Sequence, residues 1–344
     1  MDTNHFPVAD SEPYHGALAQ AIDHWGLSTE STVLLRDGVN HVFSAVTAAG
    51  VRVIVRIGDG AARQRGEVEG ELLWLAHLIE NGCVVCEPIP SRRGALLESM
   101  EVSAGSYHVC CFRYLKGRHL DPATDPEWNN ALLHRLGRAI GKMHRVSDQF
   151  HLPPEHDRRP WYDCNLSQIP NPLPPGFDPR LEEPMQEFLK SMRHRETESY
   201  SYGLVHRDLH AGNLLVEQGE MKIIDFDLGC YGWRVMDFAV LLFSQYLLPS
   251  LRIPSASPRT MAKVLGTMVR GYREEYEIDA KSFEVLNDIL RIRDIIFYVV
   301  ASPAVEHWQV AMGNPRPTVA ESLEWIRERW LRGEGYQVDL SYID

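Results

Sequence analysis

Positive charge is in short supply in this chain. Its 35 Lys and Arg residues face 47 Asp and Glu, a formal net charge of -12 over 344 residues. A nucleic-acid binder usually shows a basic face, so the balance argues against that class. It suits a protein that handles cationic small molecules, although net charge speaks first to solubility. Long apolar runs are missing too. The longest, 238–243 and 295–301, fall far short of the roughly 20 residues that span a bilayer. The first sixteen residues have neither a basic nor an apolar segment of the kind a signal peptide needs. The expectation is a soluble, cytoplasmic protein that binds neither nucleic acid nor membrane. Cysteine is sparse and unpatterned. Cys83 and Cys86 form a lone C-x-x-C, and a zinc site needs two more ligands at suitable spacing. Cys110 and Cys111 lie in an apolar run, so the six cysteines read as reduced, structural thiols. Internal repeats and low-complexity tracts are absent.

What is present divides in two. After a short helix over 14–25, the pattern turns to period two, with strands expected at 33–35, 41–47 and 51–57. In the last, Val53, Val55 and Ile57 share one face and Ile54 and Arg56 the other. An amphipathic helix over 66–80 follows, with Val68, Leu72, Leu75 and Ile79 as its stripe and Asn81-Gly82 as its stop. Further strands are expected at 84–90, 95–98 and 108–114. Beyond residue 115 the character is helical: 130–146, 181–195, 235–247, 260–276, 281–301 and 319–332, with a Pro-rich surface stretch at 151–180. The reading is an α+β chain with a small β-rich N-terminal lobe (1–115) holding one main helix, and a larger, mostly α-helical C-terminal lobe (116–344).

The chemistry concentrates in 203–227. His206-Arg207-Asp208 is followed by Asn213, giving H-x-D-x-x-x-x-N. Two short apolar runs, 214–216 and 222–224, flank a Gly219 turn, and Asp225-Phe226-Asp227 ends the second. Phosphoryl transfer from ATP needs a carboxylate near the attacking hydroxyl and ligands for Mg²⁺ on the phosphates. Mg²⁺ takes hard oxygen donors, typically one or two carboxylates with waters and phosphate oxygens. Asp208 suits the base. Asn213, five residues on, suits the metal through its amide oxygen, and the hairpin returns Asp225 as the metal carboxylate. A lone H-R-D triplet fits an ordinary hairpin with surface acids. The full set at this spacing is specific.

The stretch is similar to the protein-kinase signature. It resembles more closely the aminoglycoside phosphotransferase and choline kinase superfamily, where H-G-D-x-x-x-x-N with His-x-Gly-Asn precedes an I-D-F/W strand. His210-Ala211-Gly212-Asn213, Ile224-Asp225-Phe226-Asp227 and the segment from Tyr231 to Ala239 carry that likeness. Arg207 stands where that family usually has Gly. The resemblance covers about residues 30 to 245 and implies a bilobal protein kinase-like fold, ATP and Mg²⁺ as cofactors, and a small hydroxyl-bearing acceptor. Val53-Ile54-Val55-Arg56 sits where a kinase has V-A-I-K, so Arg56 is expected on the phosphates. Arg can fork onto phosphate or carboxylate oxygens. Glu71 is its expected helix partner, with Glu67 one turn earlier as competitor. The nucleotide loop lacks G-x-G-x-x-G. Gly38-Val39-Asn40 holds that place, and Asn40 suits either a phosphate or its own turn. Phe112 and Tyr114 open the expected hinge, 112–117, whose backbone reads adenine. Asp237 reads as a helix N-cap, and Trp161, Tyr162, Asp163, Tyr231 and Trp233 as acceptor-pocket candidates.

The leading function is therefore transfer of the ATP γ-phosphate to a hydroxyl of an aminoglycoside, amino alcohol or similar small molecule. The alternatives are a bacterial Ser/Thr protein kinase of the stress-response type and an inactive nucleotide-binding module. No A-P-E follows Asp225 at a sensible distance, which argues against a eukaryotic-type protein kinase. Intact Asp208, Asn213 and Asp225 argue against the inactive module.

Overall fold

The computed structural model describes residues 13–154, 156, 158–164, 167–195, 201–253 and 256–343. The first twelve residues, most of the segment read above for a signal sequence, lie outside it. The chain folds as two compact units with the architecture of a bilobal kinase. The first comprises Met1–Gly117 with Phe150–Arg158 and Lys222–Asp227; the second comprises Arg118–Gln149, Arg159–Met221 and Leu228–Asp344.

In the first unit, six antiparallel strands form one sheet: β1 (Val33–Arg36), β2 (Asn40–Val46), β3 (Arg52–Asp59), β4 (Pro88–Ile89), β5 (Leu97–Val102) and β6 (Gly105–Arg113). The order is β1-β2-β3-β6-β4, with β5 pairing the first half of β6. Alternation along β3 decides the two faces. Val53, Val55 and Ile57 are fully buried and join Phe43, Ala45 and Val109 beneath helix α1 (His15–Trp25), which contributes Ala17, Leu18 and Ala21. The opposite face carries Arg56, placed between Val42 on β2 and Cys110 on β6. Helix α2 (Arg65–Glu80) buries Val68, Leu72, Leu75 and Leu78. Leu78, and not the half-buried Ile79, completes its stripe. The strand expected over 84–90 shrinks to β4, because Val85 instead bridges singly to Ile223.

The second unit contains helices α3 (Asn130–Ser147), α4 (Glu182–Arg193), α5 (Met236–Leu242), α6 (Pro258–Arg273), α7 (Leu286–Ala301), α8 (Val305–Ala311) and α9 (Val319–Leu331). Strand β7 (Tyr202–Val205) pairs antiparallel with β10 (Cys230–Trp233), a strand the sequence pattern did not reveal. β8 (Leu214–Glu217) and β9 (Glu220–Ile223) form the expected hairpin. Its turn, Gln218-Gly219, has positive φ at both residues (51° and 80°), the geometry that matches hairpin twist. Helices α3 and α6 approach through glycine. A Cβ on Gly137 would collide with the carbonyl of Met268, and one on Gly271 with that of His134. The helix expected over 235–247 is α5 followed by a π-helical turn, Phe243–Leu247. The helix expected from 281 starts with a 3₁₀ turn, Ala280–Phe283, and becomes α-helical only at Leu286. Short α8 was not foreseen. Among the described residues, no helix is long and apolar enough to cross a membrane.

Candidate active site

Each unit carries part of the predicted chemistry. In the first, β3 delivers Arg56 and α2 delivers Glu71, both nearly devoid of solvent contact. The guanidinium forks onto the carboxylate, Nη1 to Oε1 at 2.7 Å and Nη2 to Oε2 at 2.9 Å. Glu67 is excluded from this role because it caps its own helix: its side chain accepts from the Gln64 backbone N–H while the Gln64 side chain accepts from the Glu67 backbone N–H. Two more guanidiniums reach Glu71 Oε2, Arg63 at 3.2 Å and Arg158 at 3.9 Å. Burial alone raises a carboxyl pKa, but the charges of Arg56, Arg63 and Arg158 win, and Glu71 is lowered to about 2.

Arg158 also holds the acidic loop at the end of the hairpin. It donates to the carbonyls of Phe226 (3.2 Å) and Asp227 (3.4 Å). Phe226 is fully buried and meets Trp74 of α2 edge to face at 5.2 Å. Between these anchors Asp225 is held at φ 68°, a conformation few non-glycine residues adopt. Arg36 on β1 lies 3.7 Å from that carboxylate. Asn40, the first residue of β2, donates from Nδ2 to Asp227 Oδ2 at 2.9 Å, so its amide tethers β2 to the acidic loop.

Phe112 lies inside β6, paired with Ile54 and Pro88, and its ring sits 5.2 Å from the Arg56 guanidinium. The next two amides, of Arg113 and Tyr114, donate to Glu87 and Arg52 carbonyls. The Tyr114 ring sits under the Arg52 guanidinium at 5.0 Å. The sheet therefore uses the first part of the predicted hinge, and 115–117 is its remaining portion.

In the second unit, Asp208 is surrounded by nitrogen. Oδ2 faces His210 Nε2 at 3.4 Å and Asn213 Nδ2 at 3.3 Å, and Oδ1 faces Arg293 Nη2 of α7 at 3.4 Å. Burial opposes the carboxylate's charge, but the hydrogen bond and charge of His210, with Arg293 and His206, hold its pKa well below the usual range. Asp208 is therefore ionised. Asn213 donates Nδ2 to the Asp208 carbonyl at 2.9 Å as well. Among the described residues both of its side-chain contacts use the amide nitrogen, which leaves Oδ1 as a hard oxygen donor. His210 Nδ1 accepts from Gly212 N at 3.0 Å, and His206 Nδ1 accepts from Asp208 N at 3.2 Å. Both histidines brace the loop.

The sequence reading missed what holds this loop from below. Asp237 is not an N-cap: α5 starts at Met236 and takes no side-chain cap. Its fully buried carboxylate accepts from the backbone N–H groups of His206 (3.0 Å) and Arg207 (2.6 Å) and meets His144 Nε2 at 3.0 Å. His144 Nδ1 in turn meets the Tyr272 hydroxyl at 2.9 Å. Burial and the Arg234 charge lower His144 to about 4, so it is neutral. Arg207 itself sits at φ 69° and needs this clamp. The only sequence signal was an Asp in an apolar run, which also suits a cap. Trp161 and Trp233, expected in an acceptor pocket, are 1% exposed and pack against each other at a tilt, centroids 5.4 Å apart, so they are core. None of the six cysteines is in a disulfide, and burial pushes the Cys86 and Cys111 thiols up to about 12.

A family model described as "Phosphotransferase enzyme family" matches residues 32–276. The chain belongs to this family. It is a phosphotransferase, and the aminoglycoside phosphotransferase likeness drawn from 203–239 is borne out. Among curated relatives, an amicoumacin kinase of Bacillus subtilis (strain 168) is 27% identical over 283 residues, 82% of each chain. An uncharacterised protein of Deinococcus radiodurans is 28% identical, covering 90% of this chain and 89% of its own. Among solved structures, an amicoumacin kinase in complex with AMP-PNP, Ca²⁺ and Ami superposes with a TM-score of 0.80 at 25% identity, covering 92% of both chains. A microcompartment-associated aminopropanol kinase superposes at 0.68 with 21% identity, covering 94% of this chain and 99% of its own, and shares the fold.

Proposed function

We propose that this phosphotransferase moves the γ-phosphate of ATP to a hydroxyl of a small molecule that also carries amino groups, of the amicoumacin, aminoglycoside or amino-alcohol kind. The observation that carries the reading is Asp208: an ionised carboxylate at the H-x-D-x-x-x-x-N position, oriented by His210, Asn213 and Arg293. In this reading Asp208 aligns the acceptor hydroxyl and takes its proton as the phosphoryl group departs. Arg56, held by Glu71, serves the phosphates. Asn40 keeps the glycine-poor loop against Asp227, and 115–117, the part of the hinge that the sheet leaves, receives the adenine. The first lobe is the nucleotide side and the second the catalytic and acceptor side.

The donor chemistry fits a divalent cation. Asn213 Oδ1 and the Asp225 carboxylate are hard oxygens, and among the described residues no three His, Cys, Asp or Glu side chains cluster to hold an ion by themselves. Donors of that kind suit Mg²⁺, which binds through few protein ligands together with nucleotide phosphates and would supply charge neutralisation there. The amicoumacin kinase solved with AMP-PNP and Ca²⁺ supports the nucleotide and cation classes.

The test is Mg²⁺-dependent ADP release screened over amicoumacin-like compounds, aminoglycosides, amino alcohols and a generic protein substrate. Asp208→Asn is expected to lower kcat by about 10²–10⁴-fold while calorimetry still detects Mg-ATP binding. Full activity in that variant excludes Asp208 as base. Turnover of protein alone excludes the small-molecule acceptor.

A further inference from the structure

The nucleotide-side pocket holds more positive charge than one phosphate-binding arginine explains. Its wall includes Asn40, Arg56, Gly58, Ala62, Arg63 and His108, all in the first unit. Behind the wall, three guanidiniums converge on the single carboxylate of Glu71. Asp227 adds a second negative charge that acts on Arg56. Asp59, the acid in the wall itself, is exposed, so water screens its charge, and its Oδ1 accepts from the Ala61 amide. Away from solvent, three buried or half-buried cations therefore face two carboxylates, Glu71 and the half-buried Asp227, with Asp59 in water at the rim, and a desolvated excess of positive charge is costly without an anion.

The three arginines are not equivalent. Arg56 commits both terminal nitrogens to Glu71. Arg158 is 4% exposed and is spent on the Phe226 and Asp227 carbonyls. Arg63 is 20% exposed, stands in the pocket wall and makes one side-chain contact, Nη2 to Glu71 Oε2 at 3.2 Å. Its other guanidinium nitrogens have no hydrogen-bond partner among the described residues. It also sits on a short connection. The Ala62 and Arg63 amides both donate to the Asp59 carbonyl, so the loop between β3 and α2 is a folded turn that aims Arg63 inward.

We propose that Arg63 is a second phosphate-binding cation, exchanging its shared contact on Glu71 for the polyphosphate of the nucleotide, so that the site grades nucleotides by phosphate number. This rests on the nucleotide reading above. Arg56 stays paired with Glu71, and Arg63 supplies the mobile charge. Forked guanidinium contacts to phosphate are short, strong and geometrically selective. A monophosphate gains little from a cation placed for a longer chain.

Calorimetry on the full chain with ATP, ADP and AMP, comparing wild type, Arg63→Gln and Arg63→Lys, tests this. The glutamine variant is expected to bind ATP about tenfold or more weakly, with AMP affinity changed less than twofold. The lysine variant is expected to recover part of the loss. A purely structural Arg63 would instead weaken ATP and AMP alike and lower the melting temperature, and that outcome overturns the proposal. So does unchanged ATP affinity in Arg63→Gln. If the wild-type protein binds none of the three nucleotides, the nucleotide reading itself fails and this inference with it.

Discussion

Glu71 shows how much one side chain can decide. It is fully buried, yet it is ionised because three guanidiniums surround it. Removing one partner of a buried ion pair leaves the rest uncompensated and typically costs about 3–5 kcal/mol. Glu71→Gln is therefore expected to lower stability by that order at neutral pH, read by urea unfolding. The acid limb carries a second signature. The folded carboxyl titrates at about 2 and the unfolded one near the ordinary 4.5. The stabilisation it provides is complete above the unfolded value and disappears as pH falls from there toward 2. Glu71→Gln should flatten that part of the stability profile. An unchanged acid limb would mean the charge does not matter. Asp208 differs in kind, since in the proposed reaction its neighbours hold ready the carboxylate that takes the acceptor's proton. Its replacement is expected to affect turnover far more than folding.

At the scale of elements, the loop from His206 to Asn213 is only as firm as the helices under it. Asp237 on α5 holds the His206 and Arg207 amides, and His144 on α3 holds Asp237. Tyr272 on α6 completes the chain. α3 and α6 must therefore lie at a fixed separation, and glycine sets it. The Gly271 Cα faces the His134 carbonyl with no room for a methyl group. Gly271→Ala forces the helices apart and is expected to cost at least about 1–3 kcal/mol as overpacking. Because the same displacement pulls on Tyr272 and His144, kcat should fall as well. Thermal unfolding and initial rates measured on the same preparation check both. A variant with wild-type stability would show that the crossing has slack.

Across the whole molecule, two buried groups make stability depend on pH in opposite directions. His144 is neutral in the fold with a pKa of about 4, against 6.5 unfolded. Between those values the unfolded chain binds the extra proton, so stability falls as pH drops through the window. Asp294 on α7 is 1% exposed, and burial pushes it up to about 7 despite Arg329 and the Tyr336 hydroxyl. The folded state then holds a proton that the unfolded chain lacks between its ordinary 3.8 and 7, so stability falls as pH rises. The two trends offset each other and broaden the optimum. Asp294→Asn removes one of them. Its unfolding free energy is expected to rise more steeply than wild type from pH 4 to 7. Equal slopes for the two proteins would refute the assignment.

The residues proposed for the reaction could be picked out in the sequence because that chemistry asks for a fixed spacing along the chain. Asp208, Asn213 and Asp225 belong to one loop and one hairpin, and a hairpin is a local structure. Arg56 stood out by its likeness to the kinase V-A-I-K strand, with alternation giving its face, and the strong helices α2, α3 and α6 by their periodicity. Tertiary structure alone decided what depends on contacts distant in sequence. It separated Glu71 from Glu67, since one lies under β3 and the other caps its own helix. It turned Asp237 from a presumed cap into the anchor of the loop 30 residues earlier. It withdrew Trp161 and Trp233 into the core, and it placed Arg63 and Arg158 beside a carboxylate that neither neighbours in sequence. Spacing encodes local geometry, whereas burial and the pairing of charge are set only when remote segments meet.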